Sequence, residues 1–91
     1  MEAGELKKLE IAADNTRFKL LGLLVKHESY ATKLSRQLKV KRKTIAFRLK
    51  QLEGLGLVHG KYMIKEDEGI AIKNYKITQE GKRVYDHILA F

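Results

Sequence analysis

The spacing of apolar residues changes period at Gly54-Leu55-Gly56, and no other feature limits the fold as much. Up to Glu53, apolar side chains recur every three or four positions, the spacing of helices with one buried stripe. Beyond Gly56, Leu57 to Ile64 and Ile70 to Ile77 are rich in β-branched and aromatic residues, with Lys65-Glu66-Asp67-Glu68-Gly69 between them. That pattern predicts a two-stranded hairpin with a polar tip. Gly54 and Gly56 end the preceding helix, because glycine tolerates the left-handed cap conformation.

Four helical segments precede the hairpin and one follows it. Leu6, Leu9 and Ala13 give a short amphipathic helix over 3–13. Asp14 caps a second helix from Asn15 to about His27, its carboxylate accepting from first-turn N–H groups. Phe18, Leu21 and Val25 form one stripe of that helix and Leu20 and Leu24 the next, so it is the core helix. Gly22 within it marks the close approach of another helix. A third helix, Ala31 to Leu38, faces inward through Ala31, Leu34 and Leu38; a tight turn at Lys39-Val40 leads to a fourth, 42–53. Thr78 caps a last helix over 79–91, with Val84, Ile88 and Phe91 on one stripe and Tyr85 and Leu89 on a second. The order α-α-α-α-β-β-α describes a mainly α fold with a β-hairpin wing, a winged helix-turn-helix.

Ninety-one residues without proline, linker or repeat make one domain spanning 1–91, with the helix-turn-helix at about 31–53 and the wing at about 57–77. No cysteine is present, which excludes disulfides and thiolate metal sites. The apolar runs are far shorter than the roughly 20 residues that span a bilayer. Glu2 and Glu5 stand where a signal peptide would be basic and then apolar, so the expected location is the cytoplasm.

Charge is distributed very unevenly. The window from Ser29 to Leu52 holds Lys33, Arg36, Lys39, Lys41, Arg42, Lys43, Arg48 and Lys50 and no acid. The chain has 19 Lys+Arg and 11 Asp+Glu, so this window accounts for the whole net charge of +8. On a helical wheel, Ile45, Leu49 and Leu52 of the fourth helix face the core. Lys43, Phe47 and Lys50 lie opposite, flanked by Ala46 and Gln51, with Arg42, Thr44 and Arg48 at the edges. A cationic helix face without carboxylates suits the major groove of duplex DNA. Its lysines and arginines reach phosphates or guanine, Gln51 pairs with adenine, and Thr44 and Lys41 lie near a helix N-terminus that favours phosphate. Lys33 and Arg36 on the third helix are placed for phosphates. Phe47 either touches thymine methyls or folds onto the helix stem or wing base. The acidic hairpin tip repels phosphate, leaving Lys61, Lys65, Lys73 and Lys76 to make the wing's contacts.

Other chemistry has little support. His27, His59 and His87 show no i, i+4 pair, so no metal site is expected. Glu66, Asp67 and Glu68 lack calcium-loop spacing, and no phosphate-cradling glycine motif or nucleophile–base arrangement occurs. No cofactor and no enzymatic activity are expected. Tyr62, Tyr75 and Tyr85 alternate with aliphatic residues and are expected in the core or at an interface. A sequence-tolerant architectural DNA binder and a winged-helix protein-interaction module are the alternatives to a sequence-specific regulator.

Three stretches carry a resemblance. They are Ala13-Asp14-Asn15-Thr16-Arg17, Leu34-Ser35-Arg36-Gln37-Leu38, and Thr44-Ile45-Ala46-Phe47-Arg48-Leu49-Lys50-Gln51-Leu52-Glu53-Gly54-Leu55-Gly56-Leu57-Val58. Together they resemble the ArsR-type winged-helix transcriptional regulators. Tyr75-Lys76-Ile77-Thr78-Gln79-Glu80-Gly81 is similar to the wing-to-last-helix junction of these and of MarR-like regulators. The resemblance implies a homodimer joined through the first and last helices, with Leu6, Leu9, Tyr85, Ile88, Leu89 and Phe91 at the seam. It also implies that the fourth helix enters the major groove while the wing touches the neighbouring backbone. The metal-sensing cysteines of such proteins are absent. Lys39 stands where the pattern often has glycine, and a lysine at positive φ costs about 1 kcal/mol.

Overall fold

The structure is a computed structural model that describes residues 3–65 and 69–90, with side chains described for 4, 8–64 and 69–90. Helices α1 (Ala3–Ala12) and α2 (Asn15–Lys26) lead into a two-residue strand β1 (Ser29–Tyr30). Helices α3 (Ala31–Leu38) and α4 (Arg42–Gly54) follow, then strands β2 (Val58–Lys65) and β3 (Ile70–Ile77), then helix α5 (Gln79–Leu89). The Glu66-Asp67-Glu68 tip lies outside the described residues.

The boundaries follow local chemistry. Asp14 Oδ1 accepts from Arg17 N at the start of α2, and Thr78 Oγ1 accepts from Gly81 N at 2.9 Å at the start of α5. Gly56 takes φ +76, the left-handed conformation that lets the chain leave α4. Thr78 also ties the two ends of the hairpin together. Its N–H donates to Leu57 O at 3.1 Å, and its hydroxyl lies 2.7 Å from Gly56 O and 3.0 Å from Leu57 O.

The hairpin is antiparallel from Val58↔Ile77 to Lys65↔Ile70. A third strand, absent from the expected order, joins it. β1 pairs with β3 through Ser29↔Tyr75 and Tyr30↔Asn74, giving the sheet order β1-β3-β2. Two residues have no periodicity to read, and this pairing exists only once β3 is in place beside them.

One core joins helices and sheet. Leu20, Leu21 and Leu24 of α2, Leu34 of α3, Ile45, Leu49 and Leu52 of α4, Leu57, Val58 and Val84 are all buried. Val25, expected in the core stripe, is exposed. Gly22 does mark a close helix approach. A Cβ there would stand 2.9 Å from the Tyr85 hydroxyl of α5, and the Tyr85 ring stacks on Phe18 with centroids 4.9 Å apart. Gly81 is tighter still, because a Cβ would run into the Leu57 carbonyl oxygen and Ile77. Among the described residues, no helix is long and apolar enough to cross a membrane.

Candidate nucleic-acid interface

The turn between α3 and α4 is organised by Ser35. Its hydroxyl donates to Val40 O at 2.7 Å, and its carbonyl accepts from the N–H groups of Lys39 and Val40. Lys39 pivots the turn at φ 56, ψ 43, the left-handed region anticipated for a position that favours glycine. The turn aims α4 away from α3 and ends on Lys41, whose side chain makes no capping hydrogen bond. The N-cap residue therefore supplies no side-chain acceptor to the first-turn amides of α4, an arrangement that favours an anion there.

α4 buries Ile45, Leu49 and Leu52 and turns Lys43, Phe47 and Lys50 outward. Lys41 and Arg42 at its start and Lys33 and Arg36 on α3 are exposed as well, while Thr44 is half-buried. Phe47 is 55% exposed, and its ring has the Arg48 guanidinium 5.6 Å from its centroid. The ring stands on the surface of α4 beside Arg48.

The two edges of α4 are held differently. On the edge facing α2, Gln51 Oε1 accepts from Arg17 Nε at 3.0 Å, Arg17 Nη2 at 2.8 Å and Arg48 Nη1 at 3.2 Å. Arg17 also reaches Ile11 O at 3.4 Å and lies 3.5 Å from Asp14 Oδ1. Gln51 is thus half-buried with its carbonyl engaged, whereas its sequence position suggests an amide free to pair with adenine.

On the edge facing the wing, Glu53 bridges two elements. Its Oε2 accepts from Gly60 N at 2.8 Å and its Oε1 from Lys73 Nζ at 2.9 Å. That hydrogen bond from Lys73 holds the Glu53 carboxyl below the usual carboxylate range, and the same bond raises Lys73 above the usual lysine range. Lys73 Nζ also lies 5.7 Å and 5.2 Å from the ring centroids of Tyr62 and Tyr75. Lys73 therefore faces α4 rather than a duplex, because β3 alternates its side chains and places residue 73 on the same face as buried Tyr75. Lys61 and Lys76 lie on the opposite face and are exposed; the Lys65 side chain lies outside the described residues.

Between the wing and α4 runs an open groove of about 560 Å³, with Arg36 and Arg42 on one wall and Tyr62, Ala71 and Tyr75 on the other. Tyr62 and Ile64 are 71% and 75% exposed where the hairpin extends past the helices. Tyr75 is a core residue, whereas Tyr62 is exposed.

The residues expected at a subunit seam are divided. Leu9, Tyr85 and Ile88 pack partly against the chain's own core, while Leu89 is 58% exposed. The Leu6 side chain and Phe91 lie outside the described residues. Arg17 and Glu53 carry no role that their sequence neighbourhood announces. Arg17 belongs to the Ala13–Arg17 stretch, but nothing local indicates that it reaches across to residue 51.

The sequence pattern of the family described as bacterial regulatory protein, arsR family, matches residues 14–59. None of the curated protein sequences matches the chain. Among solved structures, HlyU of Vibrio cholerae superposes with TM-score 0.77 at 21% identity, covering 94% of this chain and 88% of that one. A MarR-family transcriptional regulator of Enterococcus faecalis gives TM-score 0.78 at 24% identity over 91% of this chain and 74% of that one. Diamide-treated YodB of B. subtilis gives 0.81 at 16% identity over 99% and 90%. At these identities the likeness establishes the winged-helix fold.

Proposed function

Because this chain belongs to the arsR family of bacterial regulatory proteins, we propose that it regulates transcription as a homodimer that recognises a specific duplex DNA sequence with α4. Regulation of transcription, with DNA as the partner and no enzymatic reaction, is the property of the family. Sequence specificity, dimerisation and the residues that touch DNA are our reading.

The observation that carries this reading is the outward face of α4. Lys43 and Lys50 flank an exposed Phe47 with no carboxylate between them. Lys41, Arg42, Lys33 and Arg36 add exposed cations around the helix start, where phosphates would lie on either side of the groove. Lys61 supplies one exposed cation on the wing. Two copies joined along α1 and α5 would hold their α4 helices about one turn of DNA apart, roughly 34 Å, matching a pseudo-palindromic site. The chain 1–91 acts as a single domain in this reading.

Selection of bound sequences from a random duplex pool tests it. A selected duplex should bind on the order of 10³-fold or more above random DNA, with affinity falling steeply as salt rises. A ratio near one would instead favour a sequence-tolerant architectural protein. Lys43→Ala and Lys50→Ala should each weaken binding and reduce the salt slope by about 0.9 for every phosphate left without its cation, with thermal unfolding unchanged. Unaltered affinity in both variants would move the interface away from this face.

A further inference from the structure

The side-chain amide of Gln51 is gripped at one end only. Its Oε1 accepts from two nitrogens of Arg17 and one of Arg48. Guanidinium nitrogens donate and never accept, so the gripped end is the carbonyl, not the NH₂. A carbonyl oxygen offers two lone pairs, and three N–H donors saturate it. The Nε2 group takes part in none of these bonds. Arg17 is well placed to keep its hold: its side chain is only 13% exposed and is further tied to Ile11 O and Asp14.

We propose that Gln51 reads the major groove as a hydrogen-bond donor only, and that Arg17, a positioning residue on a different helix, sets this polarity without touching a base. The proposal rests on the reading that α4 enters the major groove. A free glutamine recognises adenine in bidentate fashion, accepting from N6 while donating to N7. The clamp removes the accepting half of that pair. The remaining Nε2–H donors match guanine O6 and N7 or thymine O4, whereas adenine N7 accepts beside an N6–H₂ donor that the clamped amide cannot answer. Cytosine presents only its N4 donor and is disfavoured. At the base pair beneath Gln51, the chain should therefore prefer guanine or thymine over adenine and select against cytosine.

Random-pool selection with the full chain tests this, comparing wild type with three variants. Gln51→Ala locates the base position that residue 51 reads, as the one position whose preference it erases. Wild type should enrich guanine or thymine there. Gln51→Glu keeps an acceptor for both guanidiniums but removes the donors. It should fold as well as wild type and lose the guanine or thymine preference by about fivefold or more, turning toward cytosine N4. Arg17→Met frees one lone pair of Oε1 and should shift the same position toward adenine, a change that a merely structural role for Arg17 would not produce. If Arg17→Met does not fold, the Gln51→Glu result decides. Adenine enrichment by wild type overturns the donor-only assignment, as does a folded Arg17→Met variant with unchanged base preference. A Gln51→Ala variant that alters no position overturns it too. A wild type that enriches no sequence at all overturns the groove-reading function itself, and this inference with it.

Discussion

Lys73 Nζ sits 2.9 Å from Glu53 Oε1 while Gly60 N donates to the other oxygen of the same carboxylate at 2.8 Å. One side chain at the end of α4 thus holds both strands of the hairpin and braces the wing against that helix. Glu53 is lowered and Lys73 raised by their mutual hydrogen bond. The stabilisation from a depressed carboxylate is present above its ordinary value and lost as pH falls through the lowered one. That from a raised lysine is present below its ordinary value and lost only as pH rises through the raised one. The brace therefore holds across the neutral range and fails first in acid. Glu53→Gln should cost about 1–2 kcal/mol at neutral pH, and the gap to wild type should narrow at an acid pH below the ordinary carboxylate value. Urea unfolding at the two pH values measures it; equal gaps at both would show that the charge contributes nothing.

Gly81 leaves no room for a side chain. A Cβ would collide with the Leu57 carbonyl oxygen, which is backbone in the segment that also receives the Thr78 hydrogen bonds, and with Ile77. Neither can yield without moving α5 off the sheet. Gly81→Ala should destabilise the chain by about 3 kcal/mol despite alanine's better helix propensity. A change in urea midpoint worth less than about 1 kcal/mol would mean that the α5 junction is more pliable than its geometry indicates.

Lys39 occupies the left-handed region without the freedom of glycine. Lys39→Gly should relieve a cost of about 1 kcal/mol, partly offset by the greater freedom of glycine in the unfolded chain. The net expectation is a gain of no more than a few tenths of a kcal/mol. Lys39→Ala removes the same charge but keeps the Cβ, so it should show no such gain. Thermal unfolding of the pair separates conformation from charge, and equal behaviour of the two variants would rule out the backbone explanation.

Leu89 projects from α5 with more than half its surface in solvent, next to partly buried Ile88 and Tyr85. If two copies meet along this helix, Leu89→Glu places a carboxylate in the seam and should convert dimer to monomer in sedimentation, raising the dissociation constant by at least about tenfold. The fold should survive, because Leu89 takes no part in the monomer core. A variant that sediments as wild type would exclude α5 from the interface.

Much of this fold is legible because it is encoded locally. Asp14, Thr78 and Gly56 announce their helix ends through chemistry confined to a few neighbouring residues. The Ile45, Leu49 and Leu52 stripe assigns the buried face of α4 and, by subtraction, its outward one. What stays hidden depends on partners distant in sequence. Strand β1 has two residues and exists only through pairing with β3. Lys73 looks like a wing cation because the sequence does not reveal that Glu53 lies opposite it. Gln51 looks free because its helix position is outward-flanking, and only the packing of α2 against α4 brings the Arg17 guanidinium over it. In each case one helix or strand can be read alone, and the side chain's task is decided by the element across from it.

The short strand β1 has a consequence for how the chain acquires its shape. Ser29 pairs with Tyr75 and Tyr30 with Asn74, bridging the start of α3 to the second strand of the hairpin. Every residue of α3 and α4 lies within the loop that this pairing closes. Closing a loop of that length carries an entropic cost that local helix formation does not. On this ground the helices and the hairpin should assemble before the two-residue seam closes. A growing chain that has not yet extended past β3 presents Ser29 and Tyr30 as an unpaired backbone edge at the start of the acid-free stretch 29–52.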